Sequence, residues 1–224
     1  MPAYNEEEAI SDVIQEWHQI ADQYSGNLAV INDGSSDSTL EKIKLLSEKL
    51  PRLIIIDKTN SGHGPTCLQG YLWANQENFE WVFQTDSDGQ ARTDEFASLW
   101  EQKDKHHFVF GYRPSRGDGK IRFFISRILQ AILFLIFFTS VRDANVPYRL
   151  MNVKRLLPYL QLIPKDFFLA NALLSIILEK KHRIQWEPIY FGPRTGGIPS
   201  VSLKRFITLG FKTTWDFLKV KKNI

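Results

Sequence analysis

The chain has 224 residues, of which 43% are hydrophobic and 13% aromatic, as is typical of a globular protein with one or at most two domains and a substantial core. Its 28 basic and 25 acidic residues leave a net charge of +3, which is too small to indicate a nucleic-acid-binding protein. A single cysteine, Cys67, excludes a disulfide framework and a multi-cysteine zinc site. Residues 1–15 are acidic rather than basic and apolar, so we see no secretory signal and expect a reduced, cytoplasmic protein.

Helices and short apolar strands alternate along the first half of the chain. Apolar residues at helical spacing predict a first helix over 6–24 and a second one carrying Leu40 to Leu50, with further helices over 65–76 and 93–103. Between them, four apolar stretches predict strands: "NLAVIND", "LIIIDK", "WVFQTD" and "FVFGYR". This alternation predicts βαβ units and a mostly parallel α/β sheet flanked by helices.

Polar clusters follow the predicted strands, and they are expected to meet at one edge of the sheet. The clusters are "INDGSSDS", "KTNSGHGP", "QTDSDGQ" and "GYRPSR", and "PAYNEEE" at the start of the chain has the same character. In such sheets, ligands bind beyond the carboxyl ends of the strands. Taken alone, the Asp-x-Asp in "TDSDGQ" favours an ordinary turn. The convergence of the clusters favours a divalent metal site with a phosphorylated substrate.

The beginning of the sequence lacks an expected strand. "MPAYNEE" has the composition of a strand-end loop, but no strand precedes Pro2. A doubly wound sheet needs that strand to cover the edges of its neighbours. We therefore expect the first strand to be missing, through a late or truncated start.

Two later segments are apolar and basic. The helix predicted over 120–140 has an unbroken apolar part shorter than the roughly 20 residues that cross a bilayer, so a buried core helix and an interfacial helix fit equally well. Residues 198–224 combine aromatic and basic residues, which favours binding to an anionic membrane surface over a packed helix with a solvated basic face.

In their order and spacing, the motifs resemble glycosyltransferase family 2, in its dolichol-phosphate mannose synthase-like, polyprenyl-phosphate transferring branch. The likeness is carried by "PAYNEEEAI", "INDGSSDST", "NSGHGP", "QTDSDGQ", "GYR", "DANVPYRLM" and "EPIYFGPRTGG", from residue 2 to about 197. The resemblance implies a GT-A fold, the Rossmann-like fold of nucleotide-diphospho-sugar transferases. It also implies a catalytic domain over 1–197, followed by the basic amphipathic segment 198–224.

The resemblance further implies roles for individual residues. Asp86, Asp88 and Gln90 fall on the positions that contact Mg²⁺ or Mn²⁺ and the nucleotide sugar. The residues expected to bind the nucleotide are Pro2, Ala3, Tyr4, Asn5, Glu6, Asp33, Gly62, His63, Asp86 and Ser87. The residues expected to act in catalysis are Asp88, the phosphate-binding Arg113, Arg122 and Arg194, and Asp143 and Arg149 on the acceptor side.

The expected activity is inverting transfer of a sugar from a UDP or GDP donor to polyprenyl or dolichyl phosphate, by a peripheral protein on the cytosolic membrane face. Where the mannose synthases carry a carboxylate, this chain has "FFLAN", so a dedicated general base is missing from that position. A phosphate acceptor is already anionic and needs no base, whereas an alcohol acceptor does. The departure therefore favours a phosphate acceptor. Two alternatives stay open: the same chemistry with a saccharide hydroxyl acceptor in cell-envelope polysaccharide synthesis, and a non-catalytic nucleotide-sugar-binding membrane protein. A nucleotidyltransferase is disfavoured because no "G-x-G-x-R" type loop lies near the first strand.

Overall fold

The computed structural model of the protein describes residues 1–114, 120–181, 183–192 and 214–223. The strands are β1 (Pro2–Ala3), β2 (Leu28–Asp33), β3 (Leu53–Lys58), β4 (Trp81–Thr85), β5 (Phe108–Tyr112), β6 (Tyr148–Asn152) and β7 (Gln185–Pro188). The helices are α1 (Ile10–Gln23), α2 (Thr39–Ser47), α3 (His63–Gln76), α4 (Phe96–Trp100), α5 (Lys120–Phe137), α6 (Val153–Leu160) and α7 (Ala170–Lys181). Residues 214–220 are also helical, and we call them the C-terminal helix.

The strands form two hydrogen-bonded groups with helices around them. The first group has the order β1-β2-β3 and is parallel, with Leu28 opposite Leu53. The second has the order β4-β6-β5-β7, in which β5 and β7 are parallel. Strand β6 runs antiparallel to both β4 and β5. The predicted α/β fold with a mostly parallel sheet is confirmed, and β6 is the antiparallel exception among the described strands.

The first strand, which we expected to be missing, is present as the two-residue strand β1. Pro2 lies opposite Ile31 and Ala3 opposite Asn32. The pairing extends to Met1, whose terminal nitrogen donates to the carbonyl of Ala29 at 2.9 Å. Strand β1 therefore lies beside the carboxyl-terminal half of β2.

The hydrophobic core lies on both sides of the strands. Helix α1 buries Ile10, Val13, Ile14 and Trp17, which recur at the spacing of one helical face. Trp17 packs against Phe83 of β4, with 5.3 Å between the ring centroids. These residues belong to one hydrophobic cluster, and a second one surrounds α7, in which every residue from Ala170 to Leu178 is buried. Other elements cover all faces of this helix, so its buried residues are apolar except for Asn171 and Ser175, which are hydrogen-bonded.

Helix α5 has one face in the core and one face exposed. Leu133, Ile136 and Phe137 are buried, whereas Leu135 is 69% exposed and Phe138, just beyond the helix end, is 75% exposed. Phe217 of the C-terminal helix is fully buried and lies 5.9 Å from Phe137, ring to ring. The buried face agrees with the interpretation as a core helix, and the interfacial interpretation stays a prediction. Among the described helices, none has the length and apolar character that crossing a membrane requires.

One predicted helix is shorter than expected. The sequence predicted a helix over 93–103, but the chain forms a single 3-10 turn at Thr93–Glu95 and then α4, which ends at Trp100. The apolar residues Phe96 and Leu99 are buried, which explains the helical pattern. The polar residues that follow form turns on the surface.

Candidate active site

The loops that follow β1 and β2 are joined by hydrogen bonds. The Asn5 backbone N–H donates to Ser35 Oγ at 3.1 Å, and the Ser36 N–H donates to Asn5 Oδ1 at 2.8 Å. The Glu6 N–H donates to Thr39 Oγ1 at 2.9 Å. The two predicted nucleotide-binding loops therefore form one continuous surface at the carboxyl end of the first three strands.

The predicted nucleotide residues of the first loop differ in exposure. Pro2 and Ala3 are buried in β1, and Tyr4 is 47% exposed. Asn5 adopts a φ of 53°, a left-handed conformation that asparagine tolerates better than most residues. The loop thus turns sharply after β1 and leaves the Tyr4 ring available to a ligand.

Asp33, at the end of β2, binds the loop after β3 through hydrogen bonds. Its carboxylate accepts hydrogen bonds from Lys58 Nζ and from the backbone N–H groups of Ser61 and Gly62, both at 2.9 Å. Burial alone would raise the pKa of Asp33, but hydrogen bonds from Lys58, Ser61, Thr66 and Gly62 outweigh it and lower the pKa. Sequence analysis missed Lys58, although a basic residue ending a strand before a glycine-containing loop is a usable signal.

Glycines allow the loops to approach one another closely. Gly34 has a φ of 64°, and a Cβ added there would lie 2.7 Å from the backbone nitrogen of Asn60. Gly64, in the first turn of α3, lies so close to the chain that its added Cβ would be 2.2 Å from the carbonyl oxygen of Phe167. Any other residue at Gly64 must therefore displace backbone, which explains the glycine in "SGHGP".

Asp86 follows β4 directly and carries an unsatisfied oxygen. Its Oδ1 atom is buried and receives no hydrogen bond within the described part of the chain. His63 Nε2, at 3.9 Å, is an ion-pair distance away rather than a hydrogen-bond distance. Burial raises the pKa of Asp86, and the positive charges of His63 and Arg113 oppose that rise. Ser87, the next predicted residue, is buried.

Asp88 and Gln90 shape the turn that presents these acids. Asp88 Oδ1 accepts from the backbone N–H of Gln90 at 3.1 Å, and Gly89 between them has a φ of 73°. The Gln90 side chain donates its amide N–H to the carbonyl of Gly192 at 3.2 Å. The segment is therefore both a tight turn and a carboxylate pair, and Gln90 ties it to the chain beyond β7.

The two carboxylates fit Mg²⁺ or Mn²⁺ as partial ligands. Hard oxygen donors suit these ions, which are commonly held by one or two carboxylates together with water and substrate phosphates. In the described ranges, no three His, Cys, Asp or Glu side chains are grouped as a metal site. The unsatisfied oxygen of Asp86 is the observation that fits a cation, and the substrate would supply further ligands.

A polar network lies behind Asp86, and all of its members except the partly exposed His63 are buried. His63 Nε2 is 3.5 Å from Cys67 Sγ and 3.5 Å from the side-chain nitrogen of Asn171. Asn171 Oδ1 accepts from the Tyr71 hydroxyl at 3.2 Å, and this hydroxyl also contacts Gln84. Although burial opposes protonation, Cys67 and Asp86 raise the pKa of His63 above its ordinary value. Asn171 belongs to the "FFLAN" stretch, so it is the neutral residue that faces His63.

Arg113, after β5, is held by Asp143. Its Nε and Nη2 atoms donate to the two carboxylate oxygens of Asp143 at 2.8 and 3.1 Å, a bidentate pair with little solvent exposure. Its guanidinium also lies over the ring of Phe191, 5.1 Å from the centroid. A guanidinium carries five N–H donors, and this pair accounts for two of them. The structure thus brings Arg113 and Asp143 together and fixes the orientation of the arginine.

Arg149 of β6 is placed differently from the other predicted residues. It is fully buried and donates to the carbonyl oxygens of Val146, Asn171 and Ala144 at 2.7 to 2.9 Å. Burial lowers the pKa of its guanidinium. Through these hydrogen bonds Arg149 stabilises the backbone of the segment that follows Asp143. Its predicted role in binding the acceptor stays a prediction.

Two predicted arginines cannot be placed in this way. Arg194 lies outside the described residues, and so does the side chain of Arg122, although its backbone belongs to α5. Their suggested contacts with phosphate stay predictions.

Comparison with known proteins agrees with this arrangement. The chain is 25% identical to the dolichyl-phosphate beta-glucosyltransferase ALG5D of Trichomonas vaginalis, over 68% of this chain and 52% of that protein. It is 30% identical to the uncharacterized glycosyltransferase YkcC of Bacillus subtilis, over 69% of this chain and 48% of that protein. The chain therefore spans about half the length of these curated relatives.

Solved structures show the same fold at low identity. The glucosyl-3-phosphoglycerate synthase of Mycobacterium tuberculosis, in complex with Mn²⁺, UDP-glucose and phosphoglyceric acid, aligns with a TM-score of 0.72 and 17% identity. The alignment covers 99% of this chain and 78% of that one. This likeness establishes the GT-A fold and no more.

The family assignment is independent of the structural match. The sequence model of Glycosyl transferase family 2 matches residues 1–157, which hold the four strand-end loops and both carboxylates. A match over more than half of the chain, together with the site geometry, identifies the protein as a member of glycosyl transferase family 2.

Proposed function

We propose that the protein is a metal-dependent, inverting glycosyltransferase that moves a sugar from a UDP or GDP donor to polyprenyl phosphate at the cytosolic face of a membrane. The observation that carries this proposal is the buried Oδ1 of Asp86, which receives no hydrogen bond from the described residues. An unsatisfied buried carboxylate oxygen is costly for folding, and a bound cation would compensate for it.

On the donor side, Asp86 and Asp88 would hold Mg²⁺ or Mn²⁺ against the diphosphate. When bound, the ion would neutralise charge that develops on the departing nucleoside diphosphate. Arg113 would bind a phosphate oxygen with the N–H groups that its pair with Asp143 does not use. Because Asp143 fixes this guanidinium before substrate arrives, little reorganisation would be needed during the reaction.

On the acceptor side, a phosphate oxygen would attack the anomeric carbon while the bond from that carbon to the diphosphate oxygen breaks. The attacking oxygen is already anionic, so the step needs no proton removal. Asn171, rather than a carboxylate, lies beside His63, which agrees with an acceptor that needs no general base. The name of the Trichomonas vaginalis relative also favours a lipid phosphate acceptor.

An exposed apolar surface supports a membrane as the partner. Six exposed side chains form it: Ile128, Phe134 and Leu135 of α5, Phe138 just after that helix, and Trp215 and Leu218 of the C-terminal helix. Lys221 Nζ lies 5.3 Å from the Phe138 ring centroid, and Lys219 Nζ lies 6.0 Å from that of Trp215. Aromatic rings flanked by lysines suit the interface of an anionic bilayer.

Transfer assays test the reaction. Purified protein with Mn²⁺ is incubated with labelled UDP- or GDP-sugars and either polyprenyl phosphate or soluble glycans. We expect label in the lipid phosphate fraction, and NMR of that product should show the anomeric configuration opposite to that of the donor. Transfer to glycans alone would replace the proposed acceptor, and donor binding without transfer or hydrolysis would contradict the enzyme assignment.

Vesicle sedimentation tests the membrane surface. The double variant Leu135→Glu with Phe138→Glu should lose at least about 90% of its binding to phosphatidylglycerol vesicles, because burying two new charges in the interface is unfavourable. Leu45→Glu is the matched control, since Leu45 is 59% exposed on α2, apart from this surface. Equal binding by the two variants would show that the vesicles contact another face.

A further inference from the structure

Residues 190–192, which follow β7 and which we call the bridging segment, lie across the turn that carries the two carboxylates. The Gly192 N–H donates to the carbonyl of Gln90 at 2.8 Å, and the Gln90 side chain donates back to the Gly192 carbonyl at 3.2 Å. The residue after Gln90 forms an isolated antiparallel bridge with Phe191. Because the Gln90 N–H is also bonded to Asp88, a displacement of the bridging segment would be transmitted to the carboxylate turn.

The middle residue of the bridging segment, Phe191, packs against Arg113. The Arg113 guanidinium lies 5.1 Å from the centroid of the Phe191 ring, and the same guanidinium forms the bidentate pair with Asp143. The Phe191 ring also contacts Tyr148, a fully buried residue of β6, with 6.4 Å between the ring centroids. The bridging segment therefore joins the two groups that we propose to bind the diphosphate, the carboxylate turn and Arg113.

Glu95 holds the first residue of the bridging segment. Both of its carboxylate oxygens accept the backbone N–H of Tyr190, at 3.0 and 2.8 Å. A hydrogen bond to an ionised acceptor is stronger than one between neutral groups. The fold fixes the backbone of Glu95, because the next residue, Phe96, is buried in the core. Glu95 thus connects the bridging segment to the core near α4.

We infer that Glu95 is a positioning residue for the proposed transfer, because by holding the bridging segment it fixes the carboxylate turn and Arg113 relative to one another. This inference rests on the proposed function. Two groups that must contact one diphosphate tolerate little error in their spacing, and a misplacement of about 1 Å can cost about 100-fold in rate. Arg113 would act mainly on the charge that develops on the leaving diphosphate, so loss of Glu95 should lower kcat more than it raises the KM of the donor.

The first test compares three variants in the transfer assay with Mn²⁺. Glu95→Ala should lower kcat by at least about tenfold and change the donor KM by less than about threefold. Glu95→Gln keeps one oxygen that can accept from Tyr190, so it should recover at least about half of the wild-type kcat. Glu101→Ala is the matched control, because this exposed glutamate lies just after α4, and it should leave both constants unchanged.

A double variant tests whether Glu95 acts through the bridging segment. Phe191→Ala should also lower kcat, because it removes the ring that packs against Arg113. Adding Glu95→Ala to Phe191→Ala should lower kcat no further, since both changes release the same guanidinium. Losses that multiply, or equal kcat values for Glu95→Ala and Glu101→Ala, would overturn the inference.

Hydrogen exchange tests the positioning without any substrate. The Gly192 amide is bonded to Gln90 rather than to Glu95, so at least about tenfold faster exchange in Glu95→Ala would show that Glu95 orders the whole bridging segment. The Arg113 Nε–H should exchange faster in the same variant. Unchanged exchange at both groups would contradict this inference, whereas a wild type that transfers no sugar would contradict the proposed function.

Glu95→Ala should still fold, because Ile189, just before the bridging segment, remains fully buried and donates its N–H to the Tyr112 carbonyl at 2.9 Å. If Glu95→Ala does not fold, Glu95→Asp takes its place with the same expectations. Its carboxylate is one methylene shorter and would not reach the Tyr190 N–H. Wild-type kcat and exchange in Glu95→Asp would then overturn the inference.

Discussion

Replacing either carboxylate of the proposed metal site should abolish transfer, but the two replacements should change stability in opposite directions. The Oδ1 atom of Asp86 is buried without a hydrogen bond from the described residues, a state that costs about 1–3 kcal/mol. Asp86→Ala removes this cost, and after allowance for lost packing we expect the metal-free protein to gain about 1–2 kcal/mol. For a chain of this size, that corresponds to a Tm higher by about 2–8 °C.

Asp88→Ala is the matched comparison. The Asp88 carboxylate accepts the backbone N–H of Gln90, so its removal should cost about 1 kcal/mol and lower Tm by about 2–4 °C. Both variants should lose at least about 100-fold in turnover, since each removes charge from the site that would stabilise the departing diphosphate.

The measurements are thermal unfolding in EDTA and sugar transfer with Mn²⁺. The pKa of Asp86 is raised by burial, so its carboxylate destabilises the fold increasingly as the pH rises above the ordinary value of 3.8. The gain from Asp86→Ala should therefore be largest at neutral pH and shrink toward acid. A lower Tm for Asp86→Ala at neutral pH, or full transfer activity in either variant, would refute this reasoning.

Three further predictions concern the residues around this pair. Arg113→Lys should reduce kcat/KM by at least about tenfold in the transfer assay, because lysine cannot reproduce the bidentate contact with Asp143. An unchanged kcat/KM would count against a role for this pair. Gly64→Ala should prevent folding or lower Tm by more than about 8 °C in thermal unfolding, because its Cβ would lie 2.2 Å from the Phe167 carbonyl oxygen. A normal Tm would show that Phe167 does not lie this close to Gly64. Because the pKa of Asp33 is lowered in the folded state, its contribution to stability is present above pH 3.8 and is lost as the pH falls through the folded-state pKa. Asp33→Asn should therefore be less stable than the wild type at pH 7 and approach it in acid, and a difference in the free energy of unfolding that did not change with pH would contradict this.

Much of the fold was predictable because its strands are short, apolar and end in turn-forming residues. "NLAVIND" predicted a strand where β2 covers Leu28–Asp33, and "LIIIDK" corresponds to β3 at Leu53–Lys58. Strand β6 was not predicted, and neither was its direction. Strand direction depends on which neighbours a segment meets in three dimensions, and the apolar pattern of a buried strand is the same in either direction.

The candidate site was predictable as a set of loops but not as a set of contacts. The sequence placed Asp86 and Asp88 at a strand end, where the structure has them after β4. It did not indicate that Arg149 would be fully buried on three carbonyl groups, because a motif shows which residues occur together but not which of them face a cleft. Lys58 escaped notice because its partner, Asp33, lies 25 residues earlier.

The hydrogen bonds between the loops after β1 and β2 have a consequence for the kinetics of the proposed nucleotide binding. The backbone N–H groups of Asn5 and Glu6 are held by the side chains of Ser35 and Thr39, that is, by contacts within the protein itself. A surface that is ordered beforehand loses little conformational entropy when a nucleotide arrives, so more of the contact energy is retained as affinity. Association with this part of the site should then be a single fast step, and differences in affinity among nucleotides should reside mainly in how slowly each one leaves.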